Sequence, residues 1–300
     1  MDAFTVVFRE QIKKAVSLST VSAVVTGENV YQEGNEKILP IIDEMVDSLM
    51  LPGSGVDGME NLEELLAKAE SGKSCLLLPE HYSNFDLSIF SLLVRKAGGR
   101  GDAITKAVIA IAGMKLNEDS PIVAAFAGAY TRIVIYPNRS LKGLDPEKKK
   151  AELARSFAIN RAATKLIDKI KTQGKLILLF PAGTRYRPWD PSTKKGVRDI
   201  DTYLRSFDYM CCVALNGHVL HVQQADMVND YVTKDVARVT AGPVHSCAEF
   251  RAKVQADAAA AGIVIEDKKQ AVADAIMAEL EQLHITAEEK RKKILEGGTT

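Results

Sequence analysis

Apolar residues recur at helical spacing from about Phe4 to Val25 and again from Asn35 to Met50, which predicts helices there. The Pro/Gly-rich break Leu51–Gly58 separates them from a further helical pattern through Leu62, Leu65 and Leu66. Asp57 with Glu60 has the form of a capping box for that helix. The first stretch, residues 1–72, is therefore expected to be a small helical N-terminal region, and residues 73–300 a second, α/β domain.

From Ser74 the pattern changes to short apolar runs: Ser74–Pro79, Ala107–Ala112, Arg132–Tyr136, Lys175–Pro181 and Met210–Leu215. These predict buried strands, with Val236–Ala241 a weaker one. Helical patterns lie between them. The clearest runs from Asp145 to Lys171, with Pro146 in the first turn and Gly174 closing the end. Ser120-Pro121 starts another. Strands alternating with helices predict an α/β fold: a central mixed, largely parallel sheet flanked by helices. The stretch Ser246–Leu295 is helical, alanine-rich and charged, and carries no evident chemistry.

Composition narrows the field. Lysine plus arginine and aspartate plus glutamate number 39 each, so no global positive charge points to nucleic acid. Any anionic ligand has to be held by a local cluster of cations. Cys75, Cys211, Cys212 and Cys247 lack metal-ligand or disulfide-framework spacing, which fits a reducing cytoplasm. The N-terminus has no basic region followed by an apolar core, and no uncharged run reaches the roughly 18 residues of a membrane span. A lipid substrate would have to be met from outside the bilayer.

The sharpest local signal is Glu80-His81-Tyr82-Ser83-Asn84-Phe85-Asp86, directly after the Leu76-Leu77-Leu78-Pro79 run. Binding crevices in α/β sheets form outside the carboxyl ends of strands. His81 and Asp86 can meet if the histidine lies in the strand-to-helix loop and the aspartate in the first helical turn, with Ser83 or Asn84 as N-cap. The carboxylate would then fix the imidazole tautomer and leave the other nitrogen to take a proton from an alcohol. A packing role for His81 at the loop is the plain alternative.

Two further blocks end apolar runs. In Phe180-Pro181-Ala182-Gly183-Thr184-Arg185-Tyr186-Arg187, Gly183 permits close backbone approach, and the guanidinium forks of Arg185 and Arg187 suit phosphate. Arg139 follows the Arg132–Tyr136 run and falls on the same sheet edge if the strands are parallel. Either block alone could be a solvated surface. The G-x-G-x-x-G spacing at Gly53, Gly55 and Gly58 follows a helical pattern rather than a strand, so a dinucleotide site is set aside. Gly72-Lys73-Ser74 lacks the first glycine and the strand–helix order of a phosphate-binding loop. His218, His221 and His245 are read as incidental rather than as metal ligands.

Taken together, His81-x4-Asp86, Tyr136-Pro-Asn-Arg139 and Phe180-Pro-Ala-Gly-Thr-Arg185 resemble, in order and separation, the blocks of the glycerolipid acyltransferase family. Arg185 to Thr193 looks particularly like the soluble plastid-type glycerol-3-phosphate acyltransferases. The resemblance is carried by about Ser74 to Thr193. It implies transfer of a fatty acyl group from an acyl-carrier-protein or CoA thioester, as co-substrate, to glycerol 3-phosphate. It implies no cofactor, no metal and no nucleic-acid partner, and a cytoplasmic protein that can work peripherally at the inner face of a membrane. His81 is then the general base and Asp86 its partner. Arg139, Arg185 and Arg187 hold the phosphate, and Gly183 and Thr184 shape the turn beneath it. Two positions depart from the family: Ala182 replaces a usual glutamate, as in the plastid type, and favours glycerol 3-phosphate over 1-acylglycerol 3-phosphate as acceptor. Glu80 replaces asparagine and sets a second carboxylate next to the base.

Overall fold

The computed structural model describes residues 2–118, 120–141, 145–224 and 229–297. Eleven strands run in chain order: β1 (Asp2–Ala3), β2 (Tyr31–Gln32), β3 (Gly55–Asp57), β4 (Cys75–Pro79), β5 (Val108–Gly113) and β6 (Arg132–Ile135), then β7 (Leu176–Leu178), β8 (Tyr209–Asn216), β9 (Leu220–His221), β10 (Tyr231–Val232) and β11 (Arg238–Ser246). Eight of them form one sheet in the order β2-β6-β5-β7-β4-β8-β11-β3. Pairings from β6 through β8 are all parallel, while β2 on β6 and β11 on β8 are antiparallel. The fold is α/β with a mixed, mostly parallel sheet.

The strand pattern explains why helices cover both faces. On β4, Cys75 and Leu77 point into one apolar cluster and Leu76 and Leu78 into another, and all are fully buried. A strand apolar on both sides has to be covered on both sides. One face packs against helices Arg9–Leu18, Leu39–Leu49, Met59–Glu70 and Asp86–Lys96. The other packs against Pro146–Ile170, Ile200–Ser206 and Lys268–Leu295. Truncating Leu77 to alanine would cost about 2–5 kcal/mol, the range for a buried leucine whose site cannot collapse.

The boundary expected at residue 72 is not a structural one. β2 and β3 are the two outermost strands of the main sheet, and helices of the first 72 residues share one core with β4, β7 and β8. The predicted helix from Phe4 to Val25 ends early, at Leu18, after a break at Phe8. The capping box also fails. Asp57 is the last residue of β3 and pairs with Arg238 at 2.6 Å, and the helix starts from Gly58 instead. Glycine is required there: its φ is +74°, and a Cβ would stand 2.2 Å from the Ala241 carbonyl oxygen.

Because β4, β5, β6 and β7 are parallel, the segments following Pro79, Gly113, Ile135 and Leu178 emerge at one edge of the sheet. β5 stays with β6 as far as Gly113, but with β7 only as far as Ala110–Leu178. Leu179 instead donates its backbone N–H to Leu77 on the other side, at 2.9 Å. The sheet splits here, and the split opens the main cavity. Among the described residues, no helix is long and apolar enough to cross a membrane.

Candidate active site

The loop after β4 is organised around one carboxylate. Asp86, the first residue of helix Asp86–Lys96, is 4% exposed. It accepts from the backbone N–H groups of Tyr82 (2.5 Å) and Ser83 (2.9 Å) and from the Ser83 hydroxyl (2.8 Å). His81 Nδ1 lies 2.9 Å from the same Oδ2. An acceptor already surrounded by donors requires Nδ1 to carry the proton, so the lone pair of His81 is on Nε2. That nitrogen has no partner among the described residues, and His81 lines the cavity. The positive end of the helix adds to the stabilisation of the Asp86 charge. Neither expected residue caps the helix. Ser83 Oγ accepts from Phe85 N at 3.1 Å, and Phe85 is the residue that precedes the first turn.

The block after β7 folds against this loop. Gly183 N–H returns to the Phe180 carbonyl at 2.9 Å, closing a turn in which Gly183 has φ +63°. The Phe180 ring stacks on the His81 imidazole with centroids 3.9 Å apart, and Tyr186 N–H donates to the His81 carbonyl at 2.7 Å. His81 is thus held by its side chain, its ring face and its backbone. Gly183, Thr184 and Arg185 all line the cavity. Arg185 Nη1 lies 3.2 Å from Asp230 Oδ2, whose residue is 1% exposed and whose pKa burial raises. One edge of that guanidinium therefore has a protein partner.

Arg139 sits in the short 3-10 turn Asn138–Leu141 after β6 and also lines the cavity. Its pKa is lowered, first by desolvation and then by the charge of Arg187 nearby. Arg187 itself is a partial departure from the expected set. It is exposed and lies outside the cavity lining, with its backbone N–H donated to Thr193 Oγ1 at 2.8 Å. Its charge reaches Arg139, while its side chain stands at the rim. A cation missed from the sequence is Lys115, which follows β5 and lines the same cavity. The rule that placed His81 and Arg139 at strand ends would have found it.

The cavity holds about 610 Å³. Its lining combines the polar and cationic residues His81, Ser83, Thr184, Arg139 and Arg185 with apolar ones, Ala112, Leu116, Ile122, Phe126, Ile167 and Leu179 among them. A cavity lined by both kinds of side chain suits an amphiphile.

Glu80 and the C-terminal helix were misjudged from the sequence. The Glu80 carboxylate, 6% exposed, turns away from His81 and accepts from Leu215 N (2.9 Å) and the Tyr82 hydroxyl (2.8 Å). His284 Nδ1 lies 2.8 Å from Oε2, the oxygen that also accepts from Leu215. Burial lowers the His284 pKa, but the hydrogen bond and charge of Glu80 outweigh it, and the net direction is up. Burial and the Glu80 charge push the Tyr82 phenol well above its ordinary value. His218, its ring 5.2 Å from that of Tyr82, is pushed down by burial. No local signal in a long alanine-rich helix marks one histidine as the partner of a residue 204 positions earlier.

The cysteines offer no ready nucleophile. The four cysteines are free and buried, and burial raises the thiols of Cys75 and Cys247 to about 12. Among the described residues no group of three His, Cys, Asp or Glu side chains is arranged to hold a metal ion. His245 is instead engaged by Glu279 at 2.9 Å. No family model matches this chain, and no curated protein does.

Proposed function

We propose that the protein is an acyltransferase that moves a fatty acyl group from a thioester to a hydroxyl of glycerol 3-phosphate. The observation that carries this reading is one cavity whose lining includes an oriented imidazole, Arg139 and Arg185, and many apolar side chains. The arginines match the acceptor phosphate, the apolar lining matches an acyl chain, and His81 lines the same cavity.

In this mechanism His81 Nε2 removes the proton of the acceptor hydroxyl as its oxygen attacks the thioester carbonyl carbon. That attack forms the new C–O bond and a tetrahedral oxyanion, which collapses to the ester carbonyl as the C–S bond breaks. The leaving thiolate takes the proton back from the imidazolium, so the base is regenerated. Asp86 holds the ring in place and stabilises its charged form during the step. No covalent acyl-enzyme is required. The acyl carrier is acyl carrier protein or CoA, with no resident cofactor. The protein works at the membrane surface, where an amphiphilic product is released.

The test is an acyl-transfer assay with glycerol 3-phosphate and 1-acylglycerol 3-phosphate as acceptors and both thioester types as donors. Glycerol 3-phosphate is expected to be the preferred acceptor. His81→Ala should lower kcat by about 10²–10⁴-fold or more with the melting temperature little changed, the range for loss of a general base. Turnover by His81→Ala near the wild-type rate would refute the assignment, and preference for the acylated acceptor would change the substrate.

A further inference from the structure

The outer side of helix Pro146–Ile170 is unusual for a protein surface. Phe157 is 73% exposed and Leu153, one turn before it, 47%. Their spacing puts them on one stripe, while Ser156, Ile159, Ala163 and Ile167 form the buried stripe. Thr164, two turns after Phe157 on the outer stripe, lines the cavity. The exposed apolar pair therefore lies on the stripe that meets the cavity at Thr164.

Cations surround this pair. Lys149, Lys150, Arg161 and Lys165 are all exposed. The ion pairs of this helix are Lys148 with Asp145, Arg155 with Glu118 and Glu152, and Asp168 with Lys171. Among the described residues the four cations take part in no ion pair, and Glu147 is the carboxylate of the helix that is likewise unpaired. From Lys149 to Lys165 the charged strip extends about 24 Å at 1.5 Å per residue.

We infer that this helix face is a docking surface for an anionic lipid bilayer, with Phe157 and Leu153 entering the interface and the four cations lying over acidic headgroups. The charge pattern selects the occupant. A second copy would bring like-charged strips together. An acidic protein could meet the cations, but a projecting phenylalanine on a long, level strip suits a laterally continuous surface better. The choice of lipid as partner rests on the acyltransferase reading. The surface itself is independent of catalysis: it places the cavity mouth at the bilayer, so that an amphiphile can pass between groove and membrane.

The experiment is sedimentation of the full chain with vesicles of phosphatidylcholine, with or without phosphatidylglycerol at about a third of the lipid. Binding is expected only with the anionic vesicles, and raising salt to about 0.5 M should release it as the headgroup field is screened. Phe157→Ser with Leu153→Ser should cut partitioning about 10-fold or more, and Lys149→Glu with Lys150→Glu at least as much. These positions are exposed, so unchanged melting temperatures will show the variants folded. Transfer with a soluble short-chain thioester should be unaltered in them. His81→Ala should bind vesicles like the wild type, so loss of the catalytic reading and loss of the docking surface are separable. No vesicle binding, or binding that the variants leave unchanged, overturns the proposal. So does a complex with an acidic acyl carrier protein, or a dimer, that depends on these residues in the absence of vesicle binding.

Discussion

His284 Nδ1 lies 2.8 Å from Glu80 Oε2, which ties the last helix to the residue directly before the proposed base. The raised pKa of His284 has a definite sign for stability. Its contribution is fully present below the unfolded value of about 6.5 and is lost as pH rises through the higher folded value. Tyr82, His218, Glu281 and Lys194 also bear on this site and titrate or act in both wild type and variant. The difference in unfolding free energy between wild type and His284→Gln should therefore be largest near pH 6, on the order of 1–3 kcal/mol for a charge-assisted bond, and shrink at higher pH. A difference that stays constant up to pH 9 would count against a charged His284.

Asp86→Asn replaces one acceptor oxygen with a donor in a site filled by four donors. At least one of Tyr82 N–H, Ser83 N–H, the Ser83 hydroxyl and His81 Nδ1 must lose its partner. Unfolding free energy should fall by about 1–3 kcal/mol. The imidazole loses its preferred tautomer, so kcat should drop by about 10²-fold or more. Denaturant melts and single-turnover kinetics separate the two effects; unaltered turnover would contradict the orienting role.

The three arginines should not respond alike. Arg139→Ala should raise the KM for the phosphate acceptor by about 10-fold with a smaller change in kcat, as expected for loss of a charge-assisted contact. Arg187→Ala, at the rim, should have a weaker effect. Arg185→Ala also strands the buried Asp230 carboxylate, so it should destabilise the fold by about 3–5 kcal/mol as well. Equal KM changes with equal stability in all three would argue against this division.

Ala112→Phe tests the groove. Ala112 is a buried residue of β5 that belongs to the apolar lining of the cavity. A larger side chain should shorten the groove by about two methylenes, near 0.8 kcal/mol each, and lower kcat/KM for long donors relative to short ones about 10-fold. A chain-length profile that does not move would place the acyl chain elsewhere.

The sheet was legible because its evidence is local. Six apolar runs predicted strands, and β4 to β8 and β11 lie on them within a few residues. Helix Pro146–Ile170 likewise follows from its proline start and its spacing. Failures arose where a distant partner decided the outcome. Asp57 looked like a cap until Arg238 claimed it, and the first helix stopped where its apolar spacing still continued.

For the site, spacing alone determined that His81 and Asp86 could meet at the end of a strand, because strand, loop and first helical turn are close along the chain. Composition likewise required that any anion be held by a few clustered cations. Only the tertiary structure decided which cations share the cavity, admitting Lys115 and leaving Arg187 at the rim. It also decided that Glu80 faces His284 rather than His81. The reason is physical: neighbours in sequence constrain backbone geometry over a few residues, whereas the direction of a buried carboxylate is set by whichever donors the packed helices bring to it.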